Sequence, residues 1–285
     1  MSSVARERLE NAYLEACEIE LRAFKPGNVS VYSEGHDMTV EDFRRSARAS
    51  APFLCAPELS LGEKIFYATQ AARETAGCNT NLGIVLLAAP LIQAMQTLSR
   101  GERLRDALSW SLNASTQVDA DWAYRAIRLA APGGLGEARE QDVGATPDVT
   151  LLQAMELAAQ RDRIAKQYTN SYADVFDLAI PSYDYALSRW GDEEWAAVAV
   201  FSALLKHFPD SHIERKFGTR HTRMVTDRLA HVEQALFTSD RPEQTLQLLG
   251  EVDAEFKSAG INPGTTADLT VTCLLVVRLE KLLLF

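Results

Sequence analysis

The chain has 285 residues, of which 47% are hydrophobic and 24% are charged, and its formal net charge is −10. This composition is typical of a globular protein, and we expect one domain over residues 1–285. The negative charge disfavours a nucleic-acid partner, because phosphate backbones attract basic surfaces, but it allows a small nucleotide in a local pocket of Arg and Lys.

Apolar residues recur at spacings of three and four along almost the whole chain, which predicts amphipathic helices. Ala and Leu are frequent and alternating β-branched runs are nearly absent, so we predict an all-α fold of ten or more helices. Short connectors containing Gly, Pro, Asp or Asn separate them. The predicted helices run, in chain order, from about Val4 to Ala23, from residue 40 onwards, around 65–76, and over 82–98, 103–117, 119–131, 150–167, 172–189, 192–207, 219–237, 242–258 and 266–283.

The first helix ends within ELRAFKPGNV at residues 20–29, where Pro26 and Gly27 stop it. Lys25 and Asn28 lie at this break, and the alternative to a binding site is a plain helix end with a solvent-exposed lysine. Glu20 falls near the last turn of the helix, where the helix dipole disfavours a carboxylate. This placement favours some other role for Glu20.

The connector EGHDMT at residues 34–39 places His36 beside Asp37. A histidine titrates near neutral pH, so His36 is a candidate acid, base or phosphate contact. Thr39 and Asp42 are typical of a helix cap, and a surface loop without function is the alternative interpretation.

The segment CNTNLG at residues 78–83 precedes an apolar helix. Asn79 or Thr80 can cap that helix, whose first N–H groups form an anion site. A cap needs one such residue, whereas this segment has three polar residues, and Gly83 would let a ligand approach the backbone. A phosphate or ribose site is therefore a hypothesis, with capping as the alternative.

Basic residues crowd the segment PDSHIERKFGTRHT at residues 209–222 of this acidic chain. The fork of an Arg side chain matches phosphate oxygens, so the segment is a candidate polyphosphate clamp, with a solvated turn as the alternative. Asp210 is a candidate ligand for Mg²⁺.

The last connector and helix start form GINPGTTADLTVT at residues 260–272. Thr265 or Thr266 can cap the helix, and Asp268 lies in its first turn, where the dipole stabilises an acidic residue. Capping alone explains these residues without a function. The sequence contains no Walker A loop, GxSxG elbow, HExxH or GxGxxG fingerprint.

Six stretches in order resemble the triphosphoribosyl-dephospho-CoA synthase (ATP:dephospho-CoA triphosphoribosyltransferase) family. They are KPGNV, EGHDMTVEDF, LGEKIFYATQAARETAGCNTNLG, APGGLGEA, DSHIERKFG and NPGTTADL. The resemblance implies an all-α transferase that passes the triphosphoribosyl group of ATP to a ribose hydroxyl of dephospho-CoA and releases adenine. The product is the precursor of the prosthetic group of citrate or malonate lyase-type enzymes.

The chain departs from the family pattern in one motif. Family members with this activity typically carry a His-Lys pair inside Asn-Thr-x-x-Gly, where this chain has Asn81-Leu82. The NTNLG form resembles the branch found in archaea and in tetrahydromethanopterin-using bacteria. It implies, as an alternative, a transferase step in the biosynthesis of a one-carbon cofactor such as tetrahydromethanopterin or methanofuran. A non-catalytic nucleotide-binding protein on the same fold is the third hypothesis.

The implied chemistry gives roles to the motif residues. Cleavage at C1′ of ATP develops positive charge on the ribose, and a carboxylate near C1′ stabilises that charge or deprotonates the attacking hydroxyl. Leaving adenine needs a proton from a general acid, and the triphosphate calls for Mg²⁺ and cationic side chains. The candidates are Glu20, Asp37 and Asp268 as carboxylates, His36 as acid, Lys25, Arg215 and Lys216 as cations, Asp210 and Glu63 on the metal, and Asn28, Asn79, Asn81 and Gly83 at the nucleotide.

Location and assembly are also predicted. The N-terminal segment lacks the apolar core of a signal peptide, and charges interrupt the apolar segment near the C-terminus, so we expect a cytoplasmic protein with no membrane partner. The four scattered cysteines are typical of reduced thiols. The terminal KLLLF would expose apolar side chains in a monomer, which favours a homodimer.

Overall fold

The computed structural model of the chain describes residues 3–35, 38–78, 80–132 and 141–284. Over these residues the protein is all-α, with fourteen α-helices, one π-helical turn, two 3₁₀ turns and no strand. The helices are α1 (Ser3–Arg22), α2 (Val40–Leu54), α3 (Leu61–Ala76), α4 (Leu82–Thr97), α5 (Leu104–Asn113), α6 (Gln117–Ala130), α7 (Leu151–Ala158), α8 (Arg163–Thr169), α9 (Ile180–Trp190), α10 (Glu193–His207), α11 (Ser211–Phe217), α12 (Thr222–Thr238), α13 (Leu246–Ser258) and α14 (Gly264–Leu283).

Side-chain caps decide several helix boundaries that the periodicity places wrongly. The single helix predicted over 150–167 is two helices, because Asp162 accepts hydrogen bonds from the N–H groups of Ile164 and Ala165 and starts α8. The break predicted at 118 lies two to four residues earlier, at 114–116, because Thr116 and Asp119 form a capping box that starts α6. The charged segment after Asp210 is the short helix α11.

The chain divides into two compact units. Unit 1 comprises Met1–Ala16, Glu41–Ala173 and Leu275–Phe285, and unit 2 comprises Cys17–Val40 and Asp174–Leu274. The single domain expected over 1–285 stays a prediction. Among the described residues, no helix combines the length and the apolar character needed to cross a membrane.

Unit 1 is built around α4, which is apolar on all sides and therefore buried. Pro90 lies inside this helix and has no N–H, which leaves the carbonyl of Leu86 without its usual donor. The hydroxyl of Tyr168 donates to this carbonyl at 2.6 Å. Pro90 and the hydroxyl donor that replaces its missing N–H therefore lie in the same core.

Helices α3 and α6 approach each other closely at Gly62. Gly62 carries no side chain, and a Cβ there would lie 2.5 Å from Asp119 Cα and 2.8 Å from its carbonyl oxygen. The N–H of Gly62 donates to Asp119 Oδ1 at 2.8 Å. Asp119 therefore caps α6 and also accepts a bond from the first turn of α3.

Unit 2 is built around α10, whose residues from Trp195 to Leu205 are all buried. The helix packs against α9 and α12. The connector after α1, the start of α11 and the start of α14 also belong to this unit. Three of the six motifs that carry the family resemblance thus fall within unit 2: KPGNV, DSHIERKFG and NPGTTADL.

Candidate functional site

The segment after α1 leaves the helix through a glycine that cannot be replaced freely. Gly27 has φ +82°, and a Cβ there would lie 3.0 Å from both Ile261 O and Phe256 Cβ. The left-handed backbone and this close approach both require glycine. The KPGNV motif therefore packs directly against Phe256 of α13 and Ile261, which follows that helix.

Lys25 and Glu20 form a buried ion pair beneath this segment. Lys25 Nζ lies 3.2 Å from Glu20 Oε1, and the two side chains are 0% and 6% exposed. The ammonium group also donates to the carbonyls of Glu20 at 2.6 Å, Val29 at 3.0 Å and Ala23 at 3.3 Å. Burial lowers the pKa of Lys25 and raises the pKa of Glu20, and the charge of each partner opposes the shift of the other. In this conformation the pair shapes the turn, and its predicted roles at the ligand stay predictions.

Two residues of α13 that the motifs do not include hold the other side of the segment. Asp253 accepts the N–H of Gly27 at 2.8 Å and the hydroxyl of Ser33 at 2.7 Å. Lys257 lies 3.2 Å from the Asp253 carboxylate and donates to the carbonyl of Glu34 at 2.9 Å. In sequence they are an ordinary pair on an amphipathic helix, so no local signal identifies them.

The KPGNV and NPGTTADL motifs meet through two asparagines. Asn28 is buried, and its Nδ2 donates to Asn262 Oδ1 at 2.8 Å. The side-chain amide of Asn262 is therefore held in one orientation beside the start of α14. Asn262 is missing from the predicted set, although it lies inside a motif.

The DSH and NPGTTADL motifs meet at Asp210, which is 3% exposed. Its Oδ1 accepts the N–H groups of His212 at 2.8 Å and Ile213 at 3.1 Å, in the first turn of α11. Its Oδ2 accepts the N–H of Thr266 at 2.7 Å and the hydroxyl of the same residue at 2.8 Å, in the first turn of α14. Burial raises the pKa of the Asp210 carboxyl, and these hydrogen bonds oppose that rise.

Asp268 and His212 are less buried than these groups. Both are half-buried, and Asp268 lies in α14 two residues after Thr266. The N–H of His212 also lies 3.2 Å from the hydroxyl of Thr265, and a Cβ on Gly264 would lie 3.6 Å from the imidazole ring. The imidazole thus lies against the first residue of α14, one helical turn before Asp268. Of the two described carboxylates predicted to act at C1′, Glu20 is buried and Asp268 is partly exposed.

The two predicted cations of α11 differ in exposure. Arg215 is half-buried, whereas Lys216 is exposed and its Nζ lies 3.3 Å from the carbonyl of Gly260 and 5.1 Å from the centre of the Phe217 ring. A small open recess lies at the same helix, lined by residues that include Asp210, Glu214 and Thr222.

Unit 1 holds the other described candidates. Glu63 completes the capping box of α3, since its Oε2 accepts the N–H of Ser60 at 2.9 Å. Asn81 precedes α4 without capping it, and its Nδ2 lies 3.5 Å from the hydroxyl of Ser50. The hydroxyl of Thr80, one of the two residues predicted to cap α4, pairs with that of Ser46 at 2.6 Å. Gly83 lies in the first turn of α4.

Three predicted residues, His36, Asp37 and Asn79, lie outside the described residues, as does most of the APGGLGEA motif. Within the parts of the chain that are described, no group of three or more His, Cys, Asp or Glu side chains could hold a metal ion. The donor set fits Mg²⁺ poorly at both predicted ligands, because hydrogen bonds already occupy Asp210 and a helix cap occupies Glu63. All four cysteines are described, and none is in a disulfide bond.

The unit 2 site therefore combines the partly exposed carboxylate of Asp268 on α14 with the His212 imidazole, Arg215 and Lys216 on α11. Hydrogen bonds of buried Asp210 and Asn28 fix the segments that carry them.

Comparisons with known proteins agree on one family. The model of the ATP:dephospho-CoA triphosphoribosyl transferase family matches residues 6–284. A crystal structure from Archaeoglobus fulgidus, described as that of a candidate triphosphoribosyl-dephospho-CoA synthase, is similar with a TM-score of 0.63 and 22% sequence identity. The similarity covers 82% of this chain and 97% of the archaeal one, and at this identity it bears on the fold. No curated protein matches the chain.

Proposed function

Because the chain belongs to the ATP:dephospho-CoA triphosphoribosyl transferase family, whose members are transferases, we propose that it moves the triphosphoribosyl group of ATP to dephospho-CoA and releases adenine. The match of the family model over nearly the whole chain carries this proposal. In the reaction the hydroxyl oxygen of the acceptor bonds to C1′ of the ATP ribose as the bond from C1′ to adenine breaks. The hydroxyl loses its proton to a base and adenine gains one from an acid, so the protons balance.

Asp268 is the carboxylate that acts at C1′. Positive charge develops on the ribose as adenine leaves, and a nearby carboxylate stabilises it or accepts the proton of the attacking hydroxyl. Such a group must reach the substrate, and Asp268 is partly exposed, whereas Glu20 and Asp210 are buried in this conformation. Asp268 also lies within the NPGTTADL motif.

The triphosphate binds Arg215 and Lys216. Guanidinium and ammonium groups match phosphate oxygens, and the two residues follow one another on α11, close in sequence to Asp210. We do not assign Lys25 to the triphosphate in this conformation, because its ammonium group is fully buried and already has four oxygen contacts. Mg²⁺ enters with ATP as the MgATP complex, which neutralises the phosphate charge.

The decisive experiment is incubation with MgATP and dephospho-CoA, with chromatographic detection of free adenine. Asp268→Asn should lower kcat by about 10²–10⁴-fold, because it removes a proton acceptor or charge stabiliser. Asp106→Asn is the control, since Asp106 is an exposed aspartate near the start of another helix, α5, and it should leave kcat within about twofold. Production of only ADP or AMP by the wild-type protein would refute the proposal.

A second acceptor is favoured by Leu82. Family members with this activity typically carry a lysine at this position of the motif. This chain has Leu82, which is 8% exposed and is the first residue of α4. Such a residue gives no charged contact to a phosphate group. The alternative acceptor is a precursor of a one-carbon cofactor of the tetrahydromethanopterin or methanofuran type.

Parallel reactions distinguish the two acceptors. Adenine release from MgATP is measured with dephospho-CoA and with hydroxyl-bearing pterin or furan precursors, and kcat/KM is compared. A higher kcat/KM for dephospho-CoA excludes the second acceptor as the preferred one, and the reverse result excludes the first.

A homodimer and a cytoplasmic location complete the proposal. Leu283 and Leu284 are 41% and 79% exposed at the end of α14, and a partner subunit would cover them. Light scattering should give twice the mass of 31.5 kDa. Leu284→Glu should then shift the protein towards the monomer.

A further inference from the structure

One carboxylate caps two helices in unit 2. Each oxygen of Asp210 accepts two hydrogen bonds, Oδ1 from the first turn of α11 and Oδ2 from the first turn of α14. A negative charge is also favourable at both positions, because helix dipoles place positive charge at N-termini. Asp210 and Thr266, which are 56 residues apart in sequence, thereby tie the two helix starts together.

These hydrogen bonds leave no place for a metal ion on Asp210 in this conformation. A carboxylate has about four lone-pair directions, and four donors use them. Mg²⁺ requires direct contact with an oxygen at about 2.1 Å, so it would have to displace N–H or O–H donors. A donor left buried without an acceptor costs about 1–3 kcal/mol.

The tie bears on Asp268 because of its place in α14. Thr266 precedes Asp268 by two residues on the same helix, so fixing the backbone of Thr266 also fixes the origin of the Asp268 side chain. Catalytic groups lose about 10²-fold in rate when misplaced by about 1 Å.

We propose that Asp210 is a positioning residue, which holds Asp268 at the donor ribose through Thr266 and binds no metal. This inference rests on the proposed function, in which Asp268 is the acting carboxylate. Asp210 itself touches neither substrate nor metal.

Unit 1 supplies a matched control for this arrangement. Asp119 is also a buried aspartate that serves two helices, since Oδ1 accepts the N–H of Gly62 in α3 and Oδ2 accepts the N–H of Thr116 at the start of α6. Asp119→Asn should therefore lose stability much as Asp210→Asn does. It should leave kcat within about twofold once the protein is folded, because Asp119 belongs to unit 1, whereas Asp268, Arg215 and Lys216 belong to unit 2.

The test compares Thr266→Val with Thr266→Ser. Valine keeps the shape and the N–H but removes the hydroxyl donor to Asp210, whereas serine restores that donor. Thr266→Val should lower kcat for adenine release by about 10–100-fold while KM for ATP stays within about twofold, and Thr266→Ser should recover most of kcat.

Magnesium dependence separates positioning from metal binding. In Asp210→Asn the Mg²⁺ concentration for half-maximal rate should stay within about twofold of wild type although kcat falls. A tenfold higher Mg²⁺ requirement would make Asp210 a ligand and overturn the proposal. Equal losses of kcat in Thr266→Val and Asp119→Asn would also overturn it, because they would reflect general loss of structure.

Hydrogen exchange tests the tie without any turnover. In the substrate-free protein, the amides of residues 264–268 should exchange at least about tenfold faster in Thr266→Val than in Thr266→Ser. Unchanged exchange overturns the tie itself. If the wild-type protein releases no adenine with any acceptor, the proposed function is wrong, and so is the catalytic role of Asp210. The exchange result still decides whether Asp210 fixes the start of α14 through Thr266.

Discussion

Lys25 in unit 2 and Lys64 in unit 1 are both fully buried, but their ammonium groups have different surroundings. Lys25 Nζ lies 3.2 Å from a carboxylate oxygen of Glu20. Lys64 Nζ donates to the carbonyl of Leu59 at 2.7 Å and to Gln93 Oε1 at 2.8 Å, which are both neutral. Burial lowers the pKa of both lysines, and it lowers that of Lys64 to about 8.

The difference shows that burial alone does not define the role of a lysine. A buried charge with a buried counter-charge forms a unit whose halves depend on each other. A buried charge whose hydrogen-bond acceptors are neutral keeps more of its desolvation cost, which the charges of Glu58 and Glu63 only partly offset at Lys64, and it can lose its proton instead. The first arrangement makes the turn at KPGNV sensitive to mutation, and the second makes α3 sensitive to pH.

The largest effect is expected for Lys25→Met. The variant leaves the Glu20 carboxylate buried without its counter-charge and removes the donor to three carbonyls, so unfolding free energy should fall by about 3–5 kcal/mol. Urea unfolding followed by circular dichroism measures this change. Asn28, which depends on the same turn, should lose its fixed position.

Arg22→Met is the control for this variant. Arg22 lies three residues earlier, and its ion pairs with Glu18 and Glu194 are exposed to solvent. Its removal should cost less than about 1 kcal/mol. A loss below about 1 kcal/mol for Lys25→Met would show that the counter-charge matters little. The double variant Glu20→Met/Lys25→Met should regain much of the lost stability, because it removes both buried charges together.

Periodicity predicts the helices well and their ends less well. Amphipathic spacing reflects which face is buried, so it identifies the all-α fold and most of the helices. A boundary depends on one side chain reaching a backbone N–H, as at Asp162, and this choice is not visible in the spacing of apolar residues. The two units depend on contacts between distant segments, which the sequence pattern does not contain.

The site was predictable where the chemistry is local. Glu20 is unfavourably placed for the helix dipole, and its pairing with Lys25, five residues later, accounts for that placement. The tie from Asp210 to Thr266 spans 56 residues, and the contact of Asp253 with Gly27 spans 226. No spacing rule covers such distances. The sequence therefore predicts Asp210 as a metal ligand, whereas in the structure it caps two helices.

The second largest effect is a pH dependence of the free energy of unfolding, which comes from Lys64. Its pKa is about 8 in the folded chain and about 10.5 when unfolded, so the unfolded state holds more protons between these values. Unfolding free energy therefore rises with pH in this window, by about 2 kcal/mol between pH 7 and pH 9.5. Chemical unfolding at several pH values measures the slope, and Lys64→Met should lack this part of it. Equal slopes in both proteins would contradict the lowered pKa.

The smallest effect is expected for Lys64→Met at pH 7. Methionine fills a similar volume and removes the cost of burying a charge, while the acceptors on Leu59 and Gln93 lose one donor each. These terms oppose one another, so the net loss of unfolding free energy should be about 1 kcal/mol or less. The same substitution therefore costs several times more at Lys25 than at Lys64, although both lysines are equally buried. Equal losses at the two positions would show that the hydrogen bonds to carbonyls, rather than the Glu20 carboxylate, determine how strongly the fold depends on a buried lysine.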